Sequence, residues 1–459
     1  MILTQYYLSC LSHGSYLIAD EGTRKAVVVD PRRDISDYLT DVQEHELDIV
    51  GVINTHVHAD FVAGHLELAA ATDAWIGYGP TAAERAEFEV RTLAQGDRIE
   101  LGDEVTLEIL ETPGHTWESI SVLVLEQGSP HAVLTGDSLF VGGVGRPDLV
   151  VSDGSTPQSL AEAMYSTLHD VLLTLPDATK VMPAHGAGSS CGRGLSDELE
   201  SNIGAQRATN PFAAPMPVAE FVGMVSTGQP SAPPYFQVDA ALNLRMRELL
   251  DPDEAVVPFT PAEVRAAMAG GAVVVDTRSP EDFATGHLVG AVNVGLDGRF
   301  AETAGMVLDH GDEILVLAEP GRHEEAALRL ARIGFDSVVG HVAGGRAVLA
   351  QLPDLVDSAA RLDVAHWDDL ADGTVVLDVR NAGEREGDQV IPGAVHIPLA
   401  ELTRRHDELP SSRPVLVHCA GGWRSSVAAS LLRSRGHDRV TDLVGGYDAW
   451  AAREVAATR

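Results

Sequence analysis

The feature that most limits how this 459-residue chain can fold is an internal repeat. Val273-Val274-Val275-Asp276-Thr277-Arg278 returns 102 positions later as Val375-Val376-Leu377-Asp378-Val379-Arg380. Gly290-Ala291-Val292-Asn293-Val294 returns as Gly393-Ala394-Val395-His396-Ile397, and Val342-Ala343-Gly344-Gly345 as Leu443-Val444-Gly445-Gly446. Self-similarity at a near-constant spacing means one structural plan used twice, so two copies of a fold of about 100 residues fill the C-terminal half. We place them at residues 256–355 and 360–459. Within each copy, β-branched runs such as 273–275 and 415–417 alternate with Ala/Leu/Arg-rich stretches such as 324–333 and 425–435. That rhythm predicts a parallel α/β domain.

What precedes the repeat is a separate unit, because a chain of this length exceeds one core at roughly 150 residues per domain. Six prolines between Asn210 and Tyr235 (Pro211, Pro215, Pro217, Pro230, Pro233 and Pro234) interrupt regular structure there, and the first domain is taken as residues 1–250. Its strands pair by hairpins, as at 98–99 with 105–111 around Gly102-Asp103. Helical stretches such as 62–71 intervene, predicting a mixed α/β sandwich.

Acidic residues outnumber basic ones, 68 against 32, for a formal net charge of −36. Such a field repels phosphate backbones and anionic membranes, which argues against nucleic acid and membrane partners. No stretch reaches the roughly 20 apolar residues of a bilayer span, and the N-terminus lacks a basic region followed by an apolar run, so a cytoplasmic protein is expected. In that reducing compartment Cys10, Cys191 and Cys419 stay thiols, Cys10 reading as structural. Nothing in the sequence speaks for or against a homo-oligomer.

Chemistry concentrates first in Thr55-His56-Val57-His58-Ala59-Asp60-Phe61-Val62-Ala63-Gly64-His65, just after an apolar run at 49–54. Imidazole and carboxylate ligate metals, and a strand-to-helix turn can aim several of them at one point. Matching pieces follow in Thr112-Pro113-Gly114-His115, Leu134-Thr135-Gly136-Asp137 and Met182-Pro183-Ala184-His185-Gly186. Together they resemble the metallo-β-lactamase superfamily over residues 1–240, with its H-x-H-x-D-H motif and later His, Asp and His. The resemblance implies an αββα sandwich with a metal site at the edge of its two sheets.

One position departs from that pattern. Phe61 stands where dinuclear zinc hydrolases such as glyoxalase II carry the last His of the motif, and a phenyl ring has no lone pair to give. The second metal site loses a ligand, leaving His56, His115 and Asp137, the 2-His-1-carboxylate set of mononuclear Fe(II) enzymes. Persulfide dioxygenases of this superfamily use that set. The run Ser138-Leu139-Phe140-Val141-Gly142-Gly143-Val144-Gly145-Arg146-Pro147-Asp148 is similar to their G-x-G-R-x-D loop. The resemblance implies one Fe(II) per chain, with zinc as the alternative, and gives His58, Asp60 and His185 the task of orienting ligands, waters or substrate. Arg146 is open between an ion pair with Asp148 and a substrate contact. Cys191, in Gly186-Ala187-Gly188-Ser189-Ser190-Cys191-Gly192, is open between a small buried residue and a thiol facing substrate.

A second reactive site is expected at Val415-Leu416-Val417-His418-Cys419, an apolar strand ending on a thiol. Ala420-Gly421-Gly422-Trp423-Arg424-Ser425 and an Ala-rich helix follow. A glycine-bearing loop can turn N–H groups inward and the helix presents its positive end, so an anion on Cys419 is stabilised, with Arg424 adding charge. With Asp378-Val379-Arg380 and Ile391-Pro392-Gly393-Ala394 upstream, this C-x-x-x-x-R-S loop resembles the rhodanese family, whose cysteine carries sulfane sulfur. The preceding copy has no cysteine. At an offset of 102, Leu317 answers Cys419 and Ala318-Glu319-Pro320-Gly321-Arg322 follows, so that copy reads as a spacer or docking unit.

The whole order resembles fusions of a persulfide dioxygenase, a pseudo-rhodanese and an active rhodanese. It implies that dioxygen oxidises a small-molecule persulfide to sulfite and thiol, and that sulfite becomes thiosulfate at Cys419. The rival readings are a glyoxalase II-like zinc thioester hydrolase and a non-catalytic sulfur carrier.

Overall fold

The computed structural model describes the chain apart from residues 150–154, 193, 252–253, 386, 388 and 458–459. It divides into two compact units, Met1–Gln229 with Phe236–Pro252, and Pro230–Tyr235 with Asp253–Arg459. Among the described residues no helix is long and apolar enough to cross a membrane.

In the first unit β1 (Ile2–Leu8), β2 (His13–Ala19), β3 (Lys25–Val29), β4 (Asp48–Ile53), β5 (Trp75–Tyr78) and β6 (Arg91–Thr92) form one sheet in sequence order. The pairing is antiparallel from β1 to β3 and parallel from β3 to β6. A second sheet contains β7 (Arg98–Glu100), β8 (Val105–Glu111), β9 (Ile120–Glu126), β10 (Ser129–Gly136), β11 (Lys180–Pro183) and β12 (Ser201–Asn202), also in sequence order. Only β10 and β11 run parallel there.

Alternation along each strand explains the layering, since successive side chains leave opposite faces of a sheet. On β2, Tyr16 and Ile18 share a core with Leu107, Ile109, Val122 and Val124 of the facing sheet. Leu17 and Ala19 point the other way, onto Tyr38, Val42 and Leu68 of the helices Ser36–Glu44 and His65–Thr72. On the second sheet Leu123, Leu125 and Val133 turn outward to Ala161, Met164 and Phe221 of the helices Pro157–Ser166 and Val218–Ser226. The order is helix, sheet, sheet, helix, the expected αββα sandwich. Each large aliphatic side chain so buried contributes about 1.5–3 kcal/mol over its exposed state. The helix expected from residue 62 begins only at His65, which leaves 55–64 as irregular backbone able to face a site.

The second unit holds the two copies. The strands of the first are β13 (Pro258–Phe259), β14 (Val273–Asp276), β15 (His287–Leu288), β16 (Val292–Asn293), β17 (Ile314–Leu317), β18 (Val338–Val342) and β19 (Val356–Asp357). The second copy has β20 (Arg361–Leu362), β21 (Val375–Asp378), β22 (Val395–His396), β23 (Val415–His418) and β24 (Val440–Leu443). The sheet orders β13-β18-β17-β14-β16 and β20-β24-β23-β21-β22 are the same, and both sheets are wholly parallel. β15 and β19 form a separate antiparallel pair.

Strand register corrects one correspondence. Asp276 lies beside Leu317, whereas Asp378 lies beside His418. Leu317 therefore answers His418, and Ala318 stands where Cys419 stands. The connection from β14 to β17 is one residue longer than that from β21 to β23, which a constant offset of 102 cannot register. An alanine methyl is no nucleophile either, so the first copy still has no sulfur carrier.

The turn into the helix His65–Thr72 depends on a close backbone approach. A Cβ on Gly64 would lie 2.1 Å from the carbonyl oxygen of Arg32. Gly64→Ala is expected to cost about 2–3 kcal/mol, because backbone atoms cannot swing aside. Thermal unfolding of the full chain checks this, and an unchanged melting temperature for the first unit would show that the turn has slack.

Candidate metal centre and thiol loop

The metal cluster is built at strand ends. β3 ends at Val29, and the next residue, Asp30, has a φ of 51° and is buried. Its carboxylate accepts from the Thr55 N–H at 2.7 Å, the Thr55 hydroxyl at 2.8 Å and His58 Nε2 at 2.9 Å. This places the residues after β4 against the end of β3. β10 closes the site from the other sheet, where Gly136, with φ 51°, lets the strand pass so near Thr55 that a Cβ would sit 2.5 Å from its hydroxyl. Asp137 follows directly.

Hydrogen bonds decide which nitrogen each histidine offers. The Thr55 hydroxyl has one proton and gives it to Asp30, so it must accept from His56 Nδ1 at 2.9 Å. His115 Nδ1 donates to the Arg146 carbonyl at 2.8 Å, and His185 Nδ1 to the Ser12 carbonyl at 3.1 Å. All three rings thus carry their lone pair on Nε2. His58 is inverted, since its Nε2 is spent on Asp30 and Nδ1 is the nitrogen left over.

The lone pairs converge. His56 Nε2 and His115 Nε2 lie 3.8 and 3.5 Å from Asp137 Oδ2, and His185 Nε2 lies 3.7 Å from Asp137 Oδ1 and 3.3 Å from Asp60 Oδ2. Three overlapping sets, His56/His115/Asp137, His58/Asp60/His185 and Asp137/His185/Cys191, each have their ligand atoms within 4.8 Å of one another. His56 Nε2, His58 Nδ1 and His185 Nε2 are buried without a hydrogen-bond partner, at a cost of about 1–3 kcal/mol each. Orphaned nitrogens facing carboxylates are a donor set that fits a cation. Burial, then the neighbouring His58 and His115, hold His56 well below its usual pKa and so neutral. Burial also acts to lower His58, but Asp30, Asp60 and Asp137 outweigh it and hold that ring above its usual value.

The remaining predicted residues take definite places. Arg146 forms the ion pair with Asp148, at 2.6 and 2.8 Å, while its backbone carbonyl orients His115 and its N–H donates to the Cys191 carbonyl at 2.9 Å. Cys191 is 1% exposed, and burial pushes its thiol well up. Phe61 packs its ring 4.1 Å from that of His13 and 4.4 Å from that of His58.

His13 and Asp30 were not singled out from the sequence, and neither was Asn243. The last is fully buried, donates through Nδ2 to the carbonyls of His58 and Phe61, and accepts at Oδ1 from the Ala63 N–H, each at 2.8 Å. A residue about 180 positions downstream thus holds the metal-facing loop at His58, Phe61 and Ala63.

In the second copy Cys419 follows β23, 2% exposed, and its Sγ accepts the Gly422 N–H at 3.1 Å and donates to Ser425 Oγ at 3.7 Å. Gly422 adopts φ 99°, which turns that N–H inward just ahead of the helix Trp423–Ser434. Ala420 and Gly421 lead into this turn, and the Ala420 carbonyl accepts the Asp448 N–H at 3.2 Å. Arg424, expected to add charge at the sulfur, is also engaged by a carboxylate. Both its terminal nitrogens bind Glu384 at 2.6 Å, a bidentate pair that shares the charge. Asp378 is likewise engaged by Arg380 and Arg385, with His418 Nε2 3.7 Å away.

Comparison with known proteins identifies the domain families. The model of the metallo-beta-lactamase superfamily matches residues 9–185. The chain belongs to that superfamily. The rhodanese-like domain model matches 260–350 and 364–453, so two rhodanese-like domains follow the metallo-β-lactamase domain. A metallo-beta-lactamase crystal structure from Staphylococcus aureus is 30% identical, with a TM-score of 0.67, covering 74% of this chain and 98% of that one. The crystal structure of ETHE1 from Myxococcus xanthus is 35% identical, with a TM-score of 0.41, over 49% of this chain and 90% of that one. The cytoplasmic hydroxyacylglutathione hydrolase of Arabidopsis thaliana is 33% identical over 182 residues, 39% of this chain and 66% of that protein.

In this metallo-β-lactamase domain, Asn243→Ala should free the metal-facing loop. We expect metal affinity to fall about tenfold, the lower end for loss of a group supporting ligands. Competition with a chromophoric chelator measures it, and wild-type affinity would show that the loop holds without Asn243.

Proposed function

We propose that this chain is a persulfide dioxygenase whose sulfite product is converted to thiosulfate at Cys419. The observation that carries the reading is the set His56, His115 and Asp137, with both imidazole tautomers locked toward the carboxylate, and a phenyl ring at position 61 packed on His58. A cysteine held by an inward N–H in the same chain supplies the second half. Iron bound by His56, His115 and Asp137 would supply redox chemistry toward dioxygen and Lewis acidity toward a persulfide sulfur. The net reaction is RSSH + O2 + H2O → RSH + SO3²⁻ + 2H⁺.

The chain's own residues do the rest. Thr55 and the Arg146 carbonyl orient His56 and His115 so that Nε2 faces the site, and buried walls that include Phe61 and Phe140 exclude water. At the second site the Cys419 thiolate attacks the outer sulfur of a persulfide and expels the thiol, giving Cys419–S–S⁻. Sulfite then attacks that outer sulfur, forming thiosulfate and returning the Cys419 thiolate. Gly422 N–H favours the anionic sulfur left after each transfer.

A second reading, a zinc thioester hydrolase, is favoured by the clustering of His58, Asp60 and His185, and by the likeness to the Arabidopsis hydrolase. It needs two metals. An oxygen electrode with iron-loaded protein and a panel of low-molecular-weight persulfides separates the two. We expect oxygen uptake with one iron per chain, lost about a thousandfold or more together with the iron in His115→Ala. Cys419→Ser should keep oxygen uptake within about twofold and release sulfite in place of thiosulfate. Two tightly bound zinc ions, thioester hydrolysis and no oxygen uptake would decide for the hydrolase.

A further inference from the structure

The copy that lacks a cysteine touches the helix that follows the reactive loop of the copy that has one. Its edge strand β16 ends at Asn293, which is 1% exposed and bonded on every side. The Asn293 N–H donates to Ser430 Oγ at 2.9 Å, and Oδ1 accepts from Ser426 Oγ at 3.2 Å. Its Nδ2 donates to the carbonyls of Asp276 and Arg278, both at 2.9 Å, anchoring it to the end of β14.

Ser426 and Ser430 are four residues apart and share a face of the helix Trp423–Ser434. Residues 425–432 of that helix are all buried, so its polar face is satisfied by protein rather than by water. The first turn of the same helix follows Gly422, whose N–H meets Cys419 Sγ, and includes Ser425. The position of this helix therefore fixes both contacts to the sulfur. The equivalent of Asn293 in the second copy, His396, reaches the Arg380 carbonyl at 2.8 Å, matching only the internal half of the Asn293 bonding.

We propose that the cysteine-less copy is a positioning element for sulfur transfer, with Asn293 holding the helix behind Cys419 through Ser426 and Ser430. This rests on the reading of Cys419 as a sulfur carrier. Releasing the strut lets the helix shift, and displacements near 1 Å can cost up to about a hundredfold in rate.

The test uses the full chain, with Cys419 loaded from a small persulfide and discharged by cyanide: Cys419–S–S⁻ + CN⁻ → Cys419–S⁻ + SCN⁻. For Asn293→Ala we expect kcat for thiocyanate to fall about tenfold while the KM for cyanide and the oxygen uptake of the metal domain stay within about twofold. Ser426→Ala removes only a hydroxyl and should lose about threefold, and the double variant should be no slower than Asn293→Ala alone. Wild-type kcat in Ser426→Ala, strictly additive losses, or a fall in kcat explained by a matching fall in folded protein would each overturn the proposal. A wild-type chain that makes no thiocyanate would instead remove the reading of Cys419 on which the proposal stands.

Discussion

A neutral imidazole has one lone pair, and around Asp137 the fold decides where it sits by giving the other nitrogen an acceptor. The acceptors are few and come from separated places: the Thr55 hydroxyl, the backbone carbonyls of Arg146 and Ser12, and the carboxylate of Asp30. Asp30 matters most. By taking the Thr55 proton it forces Thr55 to accept from His56, and by taking His58 Nε2 it inverts that ring. One buried carboxylate at the end of β3 thus sets two of the four imidazoles, and a change there reaches the metal-facing atoms without touching them.

The two copies in the second unit separate scaffold from chemistry. Both keep the buried Asp-x-Arg pair, Asp276 with Arg278 and Asp378 with Arg380. Removing one partner of a buried pair typically costs about 3–5 kcal/mol, so the pair persists in a fold whether or not a reaction runs there. The nucleophile has no such protection. The first copy carries an alanine at 318 in place of the thiol, and its edge strand serves its neighbour through the Asn293 bonds.

Much of the site was legible in the sequence because its ligands sit where apolar strand runs stop. His56 follows the run that forms β4, Asp137 the run that forms β10, and Cys419 the run that forms β23. Residues that act through tertiary contacts left no such mark. Asn243 is a single amide in an irregular tail, and the Arg146 contribution to His115 is a backbone carbonyl that any residue could supply. The pairing of Arg424 with Glu384 joins positions 40 apart whose motif shows only the arginine. The Leu317 correspondence failed for a different reason, since one extra residue in a connection is invisible to a fixed offset until strand pairing fixes the register.

The net charge of −36 opposes the anions of the proposed chemistry, persulfide, sulfite and thiosulfate. Screening limits that opposition to charges within about 8 Å at physiological ionic strength. Among the described residues near Cys419, Arg380, Arg385 and Arg424 bind the carboxylates of Asp378 and Glu384. A dianion such as sulfite meets these guanidinium groups there, and the inward N–H of Gly422 adds a fixed partial charge beside the sulfur. Local placement rather than overall composition therefore governs which ions approach the thiol, and the acidic surface serves chiefly to keep the chain dispersed.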